Sequence, residues 1–127
     1  MKLRVARHTN DLDRISIFYQ SIFGFEEFGS FEDHNDYNGV FLRLDSEDWH
    51  LEFTSSQDPV IHQPDEDDIL VFYPNTQIEY NSILERIESN HIHLITAKNP
   101  YWQDNGIMIK DPDGFGIVIS DQLINKT

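Results

Sequence analysis

The chain contains no cysteine. That excludes disulfides, thiolate nucleophiles and zinc–thiolate centres. It has no apolar run approaching the ~20 residues of a membrane-spanning helix. Its opening, Met1-Lys2-Leu3-Arg4-Val5-Ala6-Arg7-His8, lacks the apolar stretch of a signal peptide. A cytoplasmic protein with no membrane partner is the expectation. Basic residues are scarce, 9 Lys and Arg against 23 Asp and Glu, for a formal net charge of −14. Nucleic acid needs clustered cations against phosphate, so it is excluded as a partner. No glycine-rich phosphate loop and no nucleophile–base pair stand out. Gly and Pro are few, at 6 and 5, so each acts as punctuation.

What is present is enough for one packed domain: 127 residues, 39% hydrophobic and 13% aromatic. Leu3 to His8 reads as a strand. Asn10 and Asp11 offer helix-capping oxygens, and Leu12, Ile15, Tyr19 and Ile22 recur at helical spacing up to Gly24. Phe25 to Phe31 and Val40 to Leu44 read as strands, with Asn38-Gly39 as the turn signal between them. Trp49 to Thr54 alternates, with His50, Glu52 and Thr54 on one face and Trp49, Leu51 and Phe53 on the other. An acidic, proline-bearing connection follows; it lacks the order of ligands a calcium loop needs. Ile69 to Tyr73 is a fifth strand. Thr76 and Glu79 fit a capping box ahead of the stripe Tyr80, Ile83, Leu84 and Ile87, which ends near Asn90. Ile92 to Ala97 reads as a sixth strand and Lys98 to Asp104 as a loop. Two more strands flank Asp111-Pro112-Asp113-Gly114, where Pro112 suits the second turn position and Gly114 supplies φ > 0.

The order strand, helix, three strands thus occurs twice, eight strands and two main helices in all. Landmarks of the second half follow those of the first at a near-constant offset: Arg4 and Asp68, Asp11 and Thr76, Glu52 and Val118. Side chains match poorly, so the repeat is one of architecture. The helix start at Asp11-Leu12, the Phe23-Gly24-Phe25 junction and the Asp-Pro-Asp-Gly hairpin together resemble the vicinal-oxygen-chelate superfamily of glyoxalases, bleomycin-resistance proteins and extradiol dioxygenases. Asn99-Pro100-Tyr101-Trp102 resembles a less characterised branch of it. The resemblance spans essentially the whole chain. It implies an α+β fold of two βαβββ modules (about 1–55 and about 68–124, joined by a linker of about 56–67) forming an open cup around a site. It also implies a homodimer.

In metal-using members four strand positions aim ligands into the cup. The motifs place them here at Arg4, Glu52, Asp68 and Val118. Arg4 has no lone pair to give and Val118 no donor atom, so a conventional metal site is broken and no cofactor is expected. An alternative is a divalent metal on His8, His50 and Glu52, the two-His-one-carboxylate set of non-haem iron enzymes, which share a strand face by alternation. Arg4 is expected to replace the metal cation and bridge Glu52, Asp68 or both. The expected ligand-binding set is Arg4, His8, His50, Glu52, Phe72, Tyr101, Trp102 and Val118, with Leu70, Thr54 and Ser120 beside it and Tyr101-Trp102 on a loop that closes over it. His34, His62, His91 and His93 carry no pattern. The functional expectation is a metal-independent small-molecule binder of bleomycin-resistance type, against a metal-dependent glyoxalase-type lyase or dioxygenase. Whole-chain charge favours a cationic ligand, while Arg4, His8 and His50 favour anionic or polar groups.

Overall fold

The computed structural model describes residues 1–124. The chain divides into two compact units, one from Met1 to Ile61 and one from His62 onward. The first unit carries strand β1 (Leu3–His8), helix α1 (Leu12–Phe23) and strands β2 (Glu26–His34), β3 (Tyr37–Arg43) and β4 (Trp49–Ser55). Its sheet runs β1-β4-β3-β2, with β1 parallel to β4 and the other pairs antiparallel.

Asp11 caps α1 by accepting from the Arg14 amide. Gly24 ends the helix at φ 70°, its N–H donated to the Gln20 carbonyl. Alternation on β4 sends Leu51 and Phe53 inward, where both are buried. Tyr19 of α1, with no exposed surface, lies 5.1 Å from the Phe53 ring. Phe23 and Phe25 stack at 5.4 Å, and Trp49 meets Phe25 edge-on at 5.8 Å. Burying each such ring stabilises the unit by about 1.5–3 kcal/mol, so this aromatic layer fixes α1 to one sheet face. The opposite face is left for other work.

The β2–β3 connection differs from the expectation. Asn38 and Gly39 lie inside β3, and the chain reverses at Asn35 and Asp36, both in left-handed conformation, with φ 52° and 68°. Asn and Asp tolerate that region through local side-chain bonding. Here Asn38 Oδ1 accepts the Asp33 amide, which ties the end of β2 to β3 across the turn.

The second unit carries β5 (Ile69–Phe72), α2 (Gln77–Ser89), the short helix α3 (Pro100–Asn105), β6 (Gly106–Lys110) and β7 (Gly116–Ser120). Its sheet runs β5-β7-β6, with β5 parallel to β7 and β6 antiparallel to it. Thr76 caps α2 by accepting from Glu79 N–H, while the Glu79 carboxylate accepts the Asn75 amide, one residue outside the usual box. At the last hairpin Gly114 sits at φ 91°. Asp111, 4% exposed, accepts both the Asp113 and Phe115 amides on Oδ1.

Two expectations fail here. Ile92 to Ala97 forms no strand and joins the sheet only through the Ile95–Met108 bridge, so the described residues hold seven strands. Lys98 to Asp104 is not all loop: Asn99 caps α3 and Pro100 occupies its first turn, where a missing N–H costs nothing. Ending this close to β6, α3 takes the residues that a longer hairpin would need.

Candidate functional site

The free face of the first sheet is set by register. Arg4 lies beside His50, Ala6 beside Glu52 and His8 beside Thr54 across β1 and β4. Phe41 lies opposite Glu52, and Gly39 opposite Thr54. On β2, Gly29 pairs with Phe41 and Phe31 with Gly39. The glycines make room. A Cβ on Gly39 would stand 2.3 Å from a Phe31 ring carbon, and one on Gly29 would stand 2.9 Å from Phe41. The two rings therefore lie across bare backbone. An extra residue on β2, between Glu27 and Gly29, is a bulge at Phe28. It turns Phe28 onto this same face, 5.9 Å from Phe41 and 5.1 Å edge-on from His50.

Arg4, His50 and Glu52 meet at one corner of that face. Arg4 donates Nε–H to His50 Nε2 at 3.1 Å and faces Glu52 Oε2 through Nη1 at 3.4 Å, an ion pair longer than a tight hydrogen bond. Its guanidinium also lies 5.2 Å above the Phe41 ring. Burial and the Arg4 cation hold His50 below its ordinary 6.5, with Glu52 opposing and Arg43 adding to the depression. Arg43 belongs to the site and was missed from sequence. It follows Phe41 by two on β3, hence on the same face, and stacks 4.0 Å above Phe28.

His8 shares the face but not the corner. Its ring nitrogens face Thr54 Oγ1 at 2.7 Å and Ser56 Oγ at 3.1 Å. The set His8, His50 and Glu52 does not converge, because two hydroxyls hold His8 and Arg4 occupies the His50 nitrogen a metal would take. Among the described residues no three His, Asp or Glu side chains gather to hold a metal ion. The donor set therefore does not fit a resident metal.

Asp68 precedes β5 rather than starting it, is exposed, and accepts the Asp65 amide on Oδ2. Of the expected Arg4 bridge, the described contacts contain the Glu52 arm. In the second unit Val118 pairs with Val71 and Phe72 with Ile119. Successive strand residues face opposite ways, so Phe72 and Val118 do not line one surface as expected. Val118 has no exposed surface and packs with Ala97 and Met108, against which Ile95 and Trp102 rest. Trp102 is thus anchored on α3 instead of riding a closing loop. Tyr101, half exposed, accepts Gln122 Nε2–H on its hydroxyl at 2.6 Å. Cavities of about 190 and 220 Å³ both border Ile95 and Met108, the residues of the isolated bridge. Leu70 pairs with Ile117, and Ser120 Oγ donates to the Asn105 carbonyl. His62 places Nε2 3.9 Å from Asp113 Oδ2, with its ring edge-on to Phe115.

Residues 3–54 match the YycE-like N-terminal domain and residues 67–121 the YycE-like C-terminal domain. The chain belongs to the YycE-like family. Protein YycE of Bacillus subtilis is 38% identical over 121 residues, which are 92% of this chain and 85% of that protein. A crystal structure of a YycE protein from Bacillus subtilis, itself of unknown function, superposes with a TM-score of 0.81 at 35% identity, over 94% of this chain and 88% of that one. More distant likenesses are of fold: this YycE-like chain shares the fold of glyoxalases and fosfomycin resistance proteins. Glyoxalase I of Leishmania major gives a TM-score of 0.72 at 20% identity over 96% of this chain and 86% of that one. FosX of Listeria monocytogenes, a fosfomycin resistance protein solved with Mn(II) and 1S,2S-dihydroxypropylphosphonic acid, gives 0.69 at 16% over 92% and 88%. The α+β glyoxalase/bleomycin-resistance fold implied by the sequence motifs is the fold observed. No helix among the described residues is long and apolar enough to cross a membrane.

Proposed function

We propose that this YycE-like protein binds a small molecule on the Arg4–His50–Glu52 face of its first sheet without a resident metal. The observation that carries the reading is the Arg4 guanidinium, which engages His50 Nε2 at 3.1 Å and Glu52 at 3.4 Å, where a metal in this superfamily would need lone pairs. A cation already occupies the corner, fixed to the protein, and the aromatic floor beneath it excludes water from one side. The proposal extends to a cytoplasmic homodimer, as the superfamily resemblance implies. Sedimentation at micromolar concentration tests the dimer, and a monomer alone would remove it.

The binding reading is tested by a thermal-shift screen of small acids, amines, alcohols and divalent metals against the protein and its Arg4→Ala variant. A ligand at about 100 times its Kd stabilises by roughly 2.7 kcal/mol. Stabilisation by an organic compound that weakens in the variant supports the reading. Stoichiometric metal in the purified protein, lost on replacing His50 or Glu52, would replace it with a metal-dependent one.

A further inference from the structure

The contacts of His50 point to the class of ligand, a deepening that rests on the small-molecule reading above. Arg4 donates Nε–H to His50 Nε2, so that nitrogen is an acceptor and the ring proton sits on Nδ1. Nδ1–H makes no hydrogen bond to the described residues. Two guanidiniums flank this ring, and the nearer acid belongs to Arg4. Arg4 is 3.4 Å from Glu52, and Arg43 Nη2 is 3.9 Å from the exposed Asp45. Both also lie over rings, Arg4 over Phe41 at 5.2 Å and Arg43 over Phe28 at 4.0 Å. Phe28 and Phe41 are themselves the two rings that His50 meets edge-on, at 5.1 and 5.8 Å. The rings thus serve as platforms that hold cations in place. A guanidinium already covers one face of each, which disfavours a cationic guest stacking on that face. The corner combines two fixed cations, a neutral N–H donor and one carboxylate in a chain whose net charge is −14.

We infer that this corner is a seat for an oxyanion, so that the ligand is a small organic acid whose carboxylate, phosphate or phosphonate accepts from His50 Nδ1–H between Arg4 and Arg43. Forked guanidinium donors match the planar spread of such oxygens, and charge-assisted bonds are the stronger kind. The β3–β4 register carries Arg43 toward His50, and the bulge on β2 brings the Phe28 ring beneath its guanidinium. An anion seated there stabilises imidazolium, so binding should raise the His50 pKa from its depressed position.

The test is nuclear magnetic resonance of the full chain, following the His50 ring while adding phenylphosphonate, inorganic phosphate, benzyl alcohol or benzyltrimethylammonium. Phenylphosphonate is expected to shift the ring saturably and raise its pKa. Arg43→Gln should weaken it tenfold or more, with Arg43→Lys recovering part. His50→Gln, followed by thermal shift, keeps the test independent of whether the Arg43 variant folds. Equal binding of benzyl alcohol or benzyltrimethylammonium, lost in Arg4→Ala, would overturn the oxyanion while leaving small-molecule binding intact. Unchanged phenylphosphonate affinity in Arg43→Gln would overturn it also. Equal affinity for inorganic phosphate would remove the organic part of the assignment. A screen in which no compound binds in an Arg4-dependent way would end both readings.

Discussion

Replacing Arg4 with alanine removes three contacts at once, and the structure sets the size of each. The ion pair to Glu52 spans 3.4 Å from a guanidinium side chain that is 54% exposed to a carboxylate that is 13% exposed. A pair so open to solvent contributes about 0.2–1 kcal/mol. The guanidinium over Phe41 adds about 0.5–1 kcal/mol at an exposed site. The Nε–H···Nε2 bond adds about 0.5–1.5 kcal/mol net. One side chain cannot hold all three at their best, so the expected loss is about 1–2 kcal/mol. That is well below the roughly 3–5 kcal/mol for stranding a buried charge, the cost that would apply had Arg4 been enclosed with its acids. Urea unfolding reads the loss as a lower midpoint at unchanged slope.

A second readout checks that the contact exists in solution. His50 is held below 6.5 in the folded protein, partly by Arg4. Between the folded and unfolded values the unfolded chain binds more protons, so stability falls as pH drops from about 6.5 toward the folded value, and the loss is complete below it. In Arg4→Ala the His50 pKa should rise and this acid-side decline should shrink. A loss of 3 kcal/mol or more would refute the solvent-exposed geometry. An unmoved His50 titration would refute the contact itself.

Two further substitutions test the last hairpin. Gly114 has φ 91° with nothing near the position of an added Cβ, so the obstacle is backbone conformation alone; Gly114→Val should cost about 1–2 kcal/mol by denaturation. Asp111→Ala leaves the Asp113 and Phe115 amides without their shared acceptor. It should cost about 2–3 kcal/mol by the same assay, while Asp111→Asn, which keeps an oxygen, should cost less than half as much.

Arg4, His50 and Glu52 were legible because alternation and one motif offset suffice to place them on a common strand face. Arg43 and Phe28 were not. Arg43 fell inside the strand read over Val40 to Leu44, but no face of that strand was assigned to the site, and Phe28 falls on the wrong face under strict alternation until a bulge re-aims it. A bulge is a property of pairing between two strands, and nothing in Glu26 to Gly29 announces it. The hint available was the pairing of glycine with phenylalanine, Gly29 with Phe41 and Gly39 with Phe31, although Gly39 was read as a turn residue. In the second half, the period-2 reading placed Phe72 and Val118 together because register between β5 and β7 cannot be counted from either strand alone. The helical caps at Asp11, Gly24 and Thr76 were legible because each is a local contact within a few residues.

Long-range and local charge act oppositely on the proposed oxyanion. The whole chain, at −14, repels it, while Arg4 and Arg43 attract it at contact distance. The two effects differ in range. The Debye length falls from about 30 Å at 0.01 M salt to about 8 Å at 0.15 M. Added salt therefore screens the distant acidic residues first and the contacting guanidiniums least. The expected result is unusual for an anion site: phenylphosphonate should associate faster as salt rises over this range, with affinity holding or improving. Relaxation measurements on the His50 ring at several salt concentrations give both quantities. A steep loss of affinity with salt would mean that the ligand feels only the local cations, and that the acidic surface lies too far from the corner to oppose it.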